Sequence, residues 1–388
     1  MITWLSDACL SSLYYLMRVF PLKKNKIVLS NHLGKPYGDS EKYIAEALRK
    51  RRKNYDIVWL AKDLTQRVYP KGIRVVKYNS LQSIFEQATA KIWIDNRRKP
   101  NFVRKRLGQF YIQTWHGNIA LKRLEQDTES KLEPRYVAAA KKDSKMIDVF
   151  LSGSKWETEC IRTTFWYDGP IRQIGYPRQD PLIAGQDAMR RKVKRKFKLP
   201  VDTKILLYAP TFRQSKDEDS LSVYSLNWSK VLAALSERFG GNWVGMIRLH
   251  PNIAALADKF RIPSDVINVT DYSDMQELTA CCDCLITDYS STVIEAGIAD
   301  KVGFIFATDF EDYKKDRDVY FDIRDDLPFP FADDDDSLIR NILHFDQEKY
   351  TTELNHFLND VYGVVRNGDA SEKVCRMIDR VIEGRKKK

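Results

Sequence analysis

The sequence predicts an α/β protein of two parallel-sheet domains, and three observations carry that prediction. Short apolar runs rich in β-branched residues alternate with longer amphipathic stretches, the pattern of strand–helix–strand crossovers. The alternation breaks once, at "GYPRQDPLIAG" and the basic run ending at Pro200, and then restarts. With 388 residues, 43% hydrophobic and 12% aromatic, the chain has the apolar surface for two cores. The expected division is 1–185 and 186–388.

In the first half, "KIVLS" (26–30), "DIVWLA" (56–61), "IRVVKY" (73–78), "KIWIDN" (91–96), "FYIQTW" (110–115), "DVFLSG" (148–153) and "IRQIGY" (171–176) read as strands. Polar-apolar helical segments such as "DSEKYIAEALRKR" (39–51) lie between them. The second half continues with "KILLYAP" (204–210), "WVGMIRLHP" (243–251), "VINVT" (266–270), "CLITDYSS" (284–291) and "VGFIFAT" (302–308). Both halves read as Rossmann-like. The acidic "ADDDDS" (332–337) reads as a solvated turn or helix start.

Charge is unevenly distributed. The net charge is +11, but residues 1–200 hold 41 Lys and Arg against 19 Asp and Glu, while the remainder holds 23 against 34. The basic runs 49–53, 97–106 and 190–198 fit an anionic membrane, a phosphate-rich substrate or nucleic acid. The six cysteines show no paired CxxC spacing and no neighbouring histidine cluster, so they read as buried or idle thiols in a reducing compartment. The first 22 residues are apolar but interrupted by Asp7 and Arg18. They lack the features of a secretory signal and are short for a membrane span. Trp4, Leu5, Leu13, Tyr14, Leu16, Met17 and Phe20 would line either an interfacial helix or a helix docked on its own domain.

Residues with chemistry cluster just after strands: His116, Arg213 in "YAPTFR", His250 in "RLHP" and the hydroxyls of "TDYSSTVIEAG" (287–297). Ligands of open α/β sheets bind outside the carboxyl ends of the strands, so two facing domains would bring these motifs to one cleft. In 287–297 a strand ends at Asp288, Ser290, Ser291 and Thr292 follow, and a helix begins near Glu295. That makes either an anion site for a diphosphate or an ordinary N-cap, with Glu295 completing a capping box. A strand-end histidine is either a structural hydrogen-bonding residue or a proton acceptor, and neither His116 nor His250 has metal-ligand spacing.

"QTWHGNIALKRL" (113–124), "YAPTFR" (208–213), "RLHP" (248–251), "TDYSSTVIEAG" and "DFEDYKKDRDVYFDI" (309–323) resemble the ordered motifs of the CDP-glycerol glycerophosphotransferases of teichoic acid synthesis. "LGKPYGDSEKYIAEAL" (33–48) and "YGVVRNGDASEKV" (362–374) resemble that family's opening and closing segments. The resemblance implies a GT-B-like architecture and transfer of glycerol phosphate from CDP-glycerol to an acceptor hydroxyl, with release of CMP. It implies His116 as catalytic base and His250 as a second essential histidine near the donor phosphates. Gly117, Thr211, Arg213, Arg248, Asp288, Ser290, Ser291 and Thr292 would form the donor site, and Glu295 would meet the ribose. Ile294 and Ala296 depart from the residues common there.

No cofactor is required by this reading; magnesium is compatible with it but not indicated by the sequence. The implied acceptor is a polyprenyl diphosphate-linked sugar, met peripherally at the cytoplasmic face of an anionic membrane during Gram-positive cell-wall biogenesis. Chain length favours a primase over a poly(glycerol-phosphate) polymerase or a CDP-ribitol-using relative. A polyanion-binding protein is the alternative from a different class, and no nucleic-acid partner is expected.

Overall fold

The structure is a computed structural model, and it describes residues 6–35, 37–65, 69–211, 213, 224–249, 262–316 and 318–384. The chain forms two α/β units. The first comprises residues up to 116 with 124–180 and the segment from 365, and the second comprises 117–123 and 181–364.

The first unit contains β1 (Lys23–Ser30), β2 (Asp56–Ala61), β3 (Ile73–Lys77), β4 (Ala90–Asp95), β5 (Phe110–Gln113), β6 (Val149–Ser152) and β7 (Ile171–Gln173), all parallel, in the order β3-β2-β1-β4-β5-β6-β7. The central strands are buried on both faces, which is why they read as continuous apolar runs rather than as alternation. Ile27, Leu29, Trp59, Ile94 and Leu151 form the middle of the core. The helix Asp39–Lys50 follows β1, with Asp39 and Glu41 in its first turn and Arg49 and Lys50 in its last, each sign matching the helix dipole.

The second unit contains β8 (Lys204–Tyr208), β9 (Trp243–Ile247), β10 (Ile267–Asn268), β11 (Cys284–Thr287), β12 (Val302–Phe306) and β13 (Phe331–Ala332), again all parallel, in the order β10-β9-β8-β11-β12-β13. Counted from its own first strand, this is the 3-2-1-4-5-6 order of dinucleotide-binding sheets. Each sheet therefore has a switch point, between β1 and β4 in one and between β8 and β11 in the other. "ADDDDS" proves to be a helix start: Asp334 caps the helix Asp335–Leu343 in a reciprocal pair with Ser337.

The division departs from 1–185 and 186–388 at the carboxyl end. The helix Ala370–Ile382 belongs to the first unit, where Val374, Cys375 and Ile378 join its core. Arg51 and Lys53 pair with Asp379 at 2.8 Å each, and Asp180 accepts from the backbone N–H groups of Ala370 and Ser371 at 2.9 and 2.7 Å. The basic runs find partners of the same kind. Arg98 pairs with Glu125 and Asp143, Lys99 with Asp95, Arg190 with Asp283 and Lys192 with Glu277. Much of the positive charge that suggested a polyanion is thus neutralised within the fold.

All six cysteines are free, and all but Cys9 are buried. Among the described residues no group of His, Cys, Asp and Glu could hold a metal ion, and no helix is long and apolar enough to cross a membrane. The helix Asp7–Leu16 divides its surface: Leu10 and Tyr14 are buried, while Tyr15, Leu16, and beyond it Val19 and Phe20, are exposed. Trp4 and Leu5 lie outside the described residues.

Candidate active site

The first unit builds its site on His116, which follows β5. The half-buried ring places Nδ1 2.7 Å from the backbone carbonyl oxygen of Asn96. A carbonyl only accepts, so Nδ1 carries the proton and the Nε2 lone pair is left as a base. Arg97 Nη1 donates to that Nε2 at 2.8 Å. Burial first, then the His32 and Arg97 charges, push the imidazole pKa well below its ordinary value, so the ring is neutral at pH 7.

Asn96, fully buried, connects the loops after β1 and β4. Its side-chain oxygen accepts from His32 N–H at 2.8 Å, and its amide donates to Asn31 Oδ1 at 2.9 Å and Asp39 Oδ2 at 3.0 Å. His32 lies edge-on to His116 with ring centroids 4.8 Å apart, and its Nε2 is 3.7 Å from Asp39 Oδ2. Burial opposes ionisation of Asp39, but the nearby His32, Arg178 and the Ser40 N–H outweigh it and hold the pKa at about 2. Behind these, Thr114 donates to Glu41 at 2.5 Å, and burial followed by the Asp39 charge pushes that carboxyl up.

His32, Leu33, Asp39 and Trp115 all have positive φ, at 41°, 59°, 55° and 56°. Such non-glycine conformations cost on the order of 1–3 kcal/mol each and concentrate at functional sites. The strain lies in the loops that carry the two histidines. Sequence reasoning missed His32, Asn96 and Arg97, although His32 carries the same signal as His116, a histidine directly after an apolar strand.

In the second unit the switch-point loops after β8 and β11 are joined by Asp288, which accepts from Thr211 N–H at 2.8 Å. Arg213 donates to Asp309 through Nε at 2.6 Å and Nη2 at 3.0 Å, while Nη1 lies 2.8 Å from both Asp288 Oδ2 and Thr211 Oγ1. Burial alone would lower the Arg213 pKa; Asp309 and Asp288 reverse this and keep the guanidinium charged. Thr211, Arg213 and Asp288 therefore satisfy one another.

Arg248, following β9, differs. Its Nη1 is buried with no hydrogen-bond partner among the described residues, and burial pushes its pKa down against the opposing charge of Asp274. The capping-box alternative for 287–297 is not realised. Ser291 is the N-cap of the helix Thr292–Ile298 but makes no capping hydrogen bond, and the buried Glu295 accepts from Gln276 at 2.9 Å. Ser290 and Thr292 hydroxyls are 2.8 Å apart. Gly117, at φ 85°, lies against this cluster: a Cβ there would be 3.5 Å from Ser291 Oγ. His250 lies outside the described residues.

Residues 12–380 match the family model described as CDP-glycerol:poly(glycerophosphate) glycerophosphotransferase. The teichoic acid poly(glycerol phosphate) polymerase of Staphylococcus epidermidis is 33% identical over 93% of this chain, which spans 51% of that relative. The chain likewise spans 50% of the polymerase of Bacillus subtilis, so it covers about half the length of these curated relatives. The teichoic acid glycerol-phosphate transferase of Staphylococcus aureus is 26% identical and matches over 92% of this chain and 93% of its own length. The structure of the wall teichoic acid polymerase TagF superposes with a TM-score of 0.84 at 30% identity, over 97% of this chain and 94% of that one. A histidine variant of TagF soaked with CDPG gives 0.85 at 31%. Two parallel Rossmann-like sheets, strand-end motifs in order along the chain and a match over nearly its full length lead to one assignment: the chain belongs to the CDP-glycerol:poly(glycerophosphate) glycerophosphotransferase family.

Proposed function

We propose that this chain transfers glycerol phosphate from CDP-glycerol to a hydroxyl of a membrane-linked teichoic acid precursor, with His116 as general base. The observation that carries the reading is the His116 tautomer, fixed by Asn96 with Nε2 as a lone pair and a pKa low enough to keep it neutral. The acceptor O–H gives its proton to Nε2 as its oxygen forms a bond to the glycerol-bearing phosphorus. The bond from that phosphorus to the bridging oxygen breaks, and CMP leaves with the electron pair. Charge spreads over the phosphate oxygens in such transfers, so cations and N–H groups aimed at them lower the barrier.

On the donor side, Arg248 and the hydroxyls of Ser290, Ser291 and Thr292 are the phosphate ligands, since their donors are not spent on carboxylates. Arg213 and Asp288 act differently from the simplest expectation: they brace the loops, and Thr211 is held by them. His250 and Glu295 retain the donor-side and ribose roles that their motifs imply, Glu295 being held by Gln276. The exposed Tyr15, Leu16, Val19 and Phe20 beside Arg18 and Lys23 are suited to the surface of an anionic membrane, which supports peripheral association; the cytoplasmic face is the side on which the donor nucleotide would be met.

The test is incubation with CDP-glycerol and a synthetic polyprenyl diphosphate-linked disaccharide, with CMP release measured and phosphates per product counted by mass. CMP release matched by added glycerol phosphate is expected; no transfer to this acceptor or to one already extended with glycerol phosphate refutes the reading. The phosphate count separates a primase from a polymerase.

A further inference from the structure

The first unit's own switch point carries cations that the mechanism above does not use. Lys35 follows β1, Lys62 follows β2 and Arg97 follows β4, and these three strands are neighbours in the order β2-β1-β4. All three residues leave carboxyl ends of parallel strands, the edge at which open α/β sheets bind ligands. The loops are tied together: Lys62 N–H donates to Gly34 O at 2.7 Å, Lys35 N–H donates to Asn31 O at 2.8 Å, and Asn96 joins the loops after β1 and β4. Gly34 is at φ 88°, and a Cβ there would meet Tyr78 Cβ at 2.7 Å, which pins the turn ahead of Lys35.

Among the described residues none of these three side chains pairs with a carboxylate, whereas the adjacent Arg98 and Lys99 are buried and paired. Desolvation first, then the charges of Arg97 and Lys62, push the Lys35 pKa down, so the three cations lie close enough to repel one another. Uncompensated like charges focused at a sheet edge attract an anion. One member, Arg97, already spends a donor on the Nε2 that must receive the acceptor's proton.

We infer that Lys35, Lys62 and Arg97 form a phosphate subsite for the acceptor, favouring an acceptor whose reacting hydroxyl belongs to a phosphorylated alditol, and that its phosphate draws Arg97 off His116 Nε2. This rests on the transferase reading. It makes a chain end already carrying glycerol phosphate a better acceptor than a neutral sugar, and it ties release of the base to the arrival of the substrate.

Equilibrium binding of glycerol phosphate and of glycerol to the full chain, without CDP-glycerol, tests the subsite. Glycerol phosphate should bind and glycerol should not. Lys35→Ala and Lys62→Ala, both at exposed positions, should each weaken binding about three- to fivefold. Arg97→Gln should weaken it by about tenfold or more. Glycerol phosphate binding no tighter than glycerol, wild-type affinity in both lysine variants, or displacement of bound glycerol phosphate by CDP-glycerol would each overturn the inference, the last by assigning the site to the donor. In turnover, the lysine variants should raise KM for an acceptor ending in glycerol phosphate and leave KM for one ending in a neutral sugar unchanged; equal effects on both also overturn it. Transfer to neither acceptor by the wild type refutes the transferase reading instead, and the binding comparison still decides the subsite.

Discussion

Replacing His116 separates a base from a structural histidine, because its structural contribution is small enough to work out. Its polar anchors are a hydrogen bond donated to Asn96 O at 2.7 Å, worth about 1 kcal/mol net, and one accepted at 2.8 Å from the half-buried Arg97, whose guanidinium water can solvate once the ring is gone. Its ring stands 4.5 Å from Trp115 and 4.8 Å from His32 between centroids, adding about 0.5–1.5 kcal/mol. His116→Ala should therefore cost about 2 kcal/mol, or roughly 4–8 °C in melting temperature for a unit of about 200 residues. His116→Asn, whose amide can donate to the same carbonyl, should cost less. Loss of a general base lowers turnover by about two to four orders of magnitude. The modest destabilisation leaves the chain folded at assay temperature, so it cannot account for such a loss. The assay compares kcat, CDP-glycerol affinity and melting temperature on single preparations of both variants. Near-wild-type turnover in a folded variant refutes the base assignment, as does a fall in kcat that follows melting temperature and donor affinity together.

The two donor-side arginines should part company. Arg248→Gln should weaken CDP-glycerol binding by about tenfold or more without lowering the melting temperature, since a buried donor that has no partner among the described residues is removed. Arg213→Gln should instead destabilise by about 3–5 kcal/mol, because Asp288 and Asp309 lose their counter-charge. Lost donor affinity with unchanged stability in Arg213→Gln, measured by calorimetry and thermal melting, would make Arg213 a ligand after all. For pH, His116 stays neutral in the folded chain while the unfolded chain protonates near 6.5. Below about pH 6.5 the unfolded state then holds the extra proton, so this contribution to stability is complete above that pH. It is lost on acidification at up to about 1.4 kcal/mol per unit until the folded pKa is reached. Denaturant titrations of His116→Asn should show a slope shallower by one proton; an identical slope refutes the depressed pKa. Changing exposed Leu16, Val19 and Phe20 to Ser should weaken sedimentation with anionic vesicles, and salt should weaken wild-type binding as screening shortens to about 8 Å. Equal binding to neutral and anionic vesicles at low salt contradicts the electrostatic part.

Most strands were legible because parallel strands buried on both faces must be apolar throughout, and "DIVWLA" coincides with β2 from Asp56 to Ala61. β13, only Phe331–Ala332, is too short to leave such a run, and it was missed. His116 and the hydroxyl cluster were legible for another reason: strand ends carry function in this architecture, and a polar residue closing an apolar run is visible locally. Local sequence narrowed 332–337 to a solvated turn or a helix start, and the reciprocal cap between Asp334 and Ser337 makes it the latter. Tertiary structure decided which charges remain available. Arg97, Arg98 and Lys99 are consecutive and alike in sequence, yet Arg98 reaches Glu125 and Asp143, Lys99 reaches Asp95, and Arg97 meets a histidine. It also decided that Arg213 is spent on Asp309 while Arg248 keeps a buried donor with no partner among the described residues, and that the helix Ala370–Ile382 joins the first unit. The physical reason is common to all of these. Whether a charge is paired depends on which distant segment the strand order brings within a few ångströms. Neither composition nor local periodicity carries that order: His32 and His116 share an edge only because β1, β4 and β5 lie side by side.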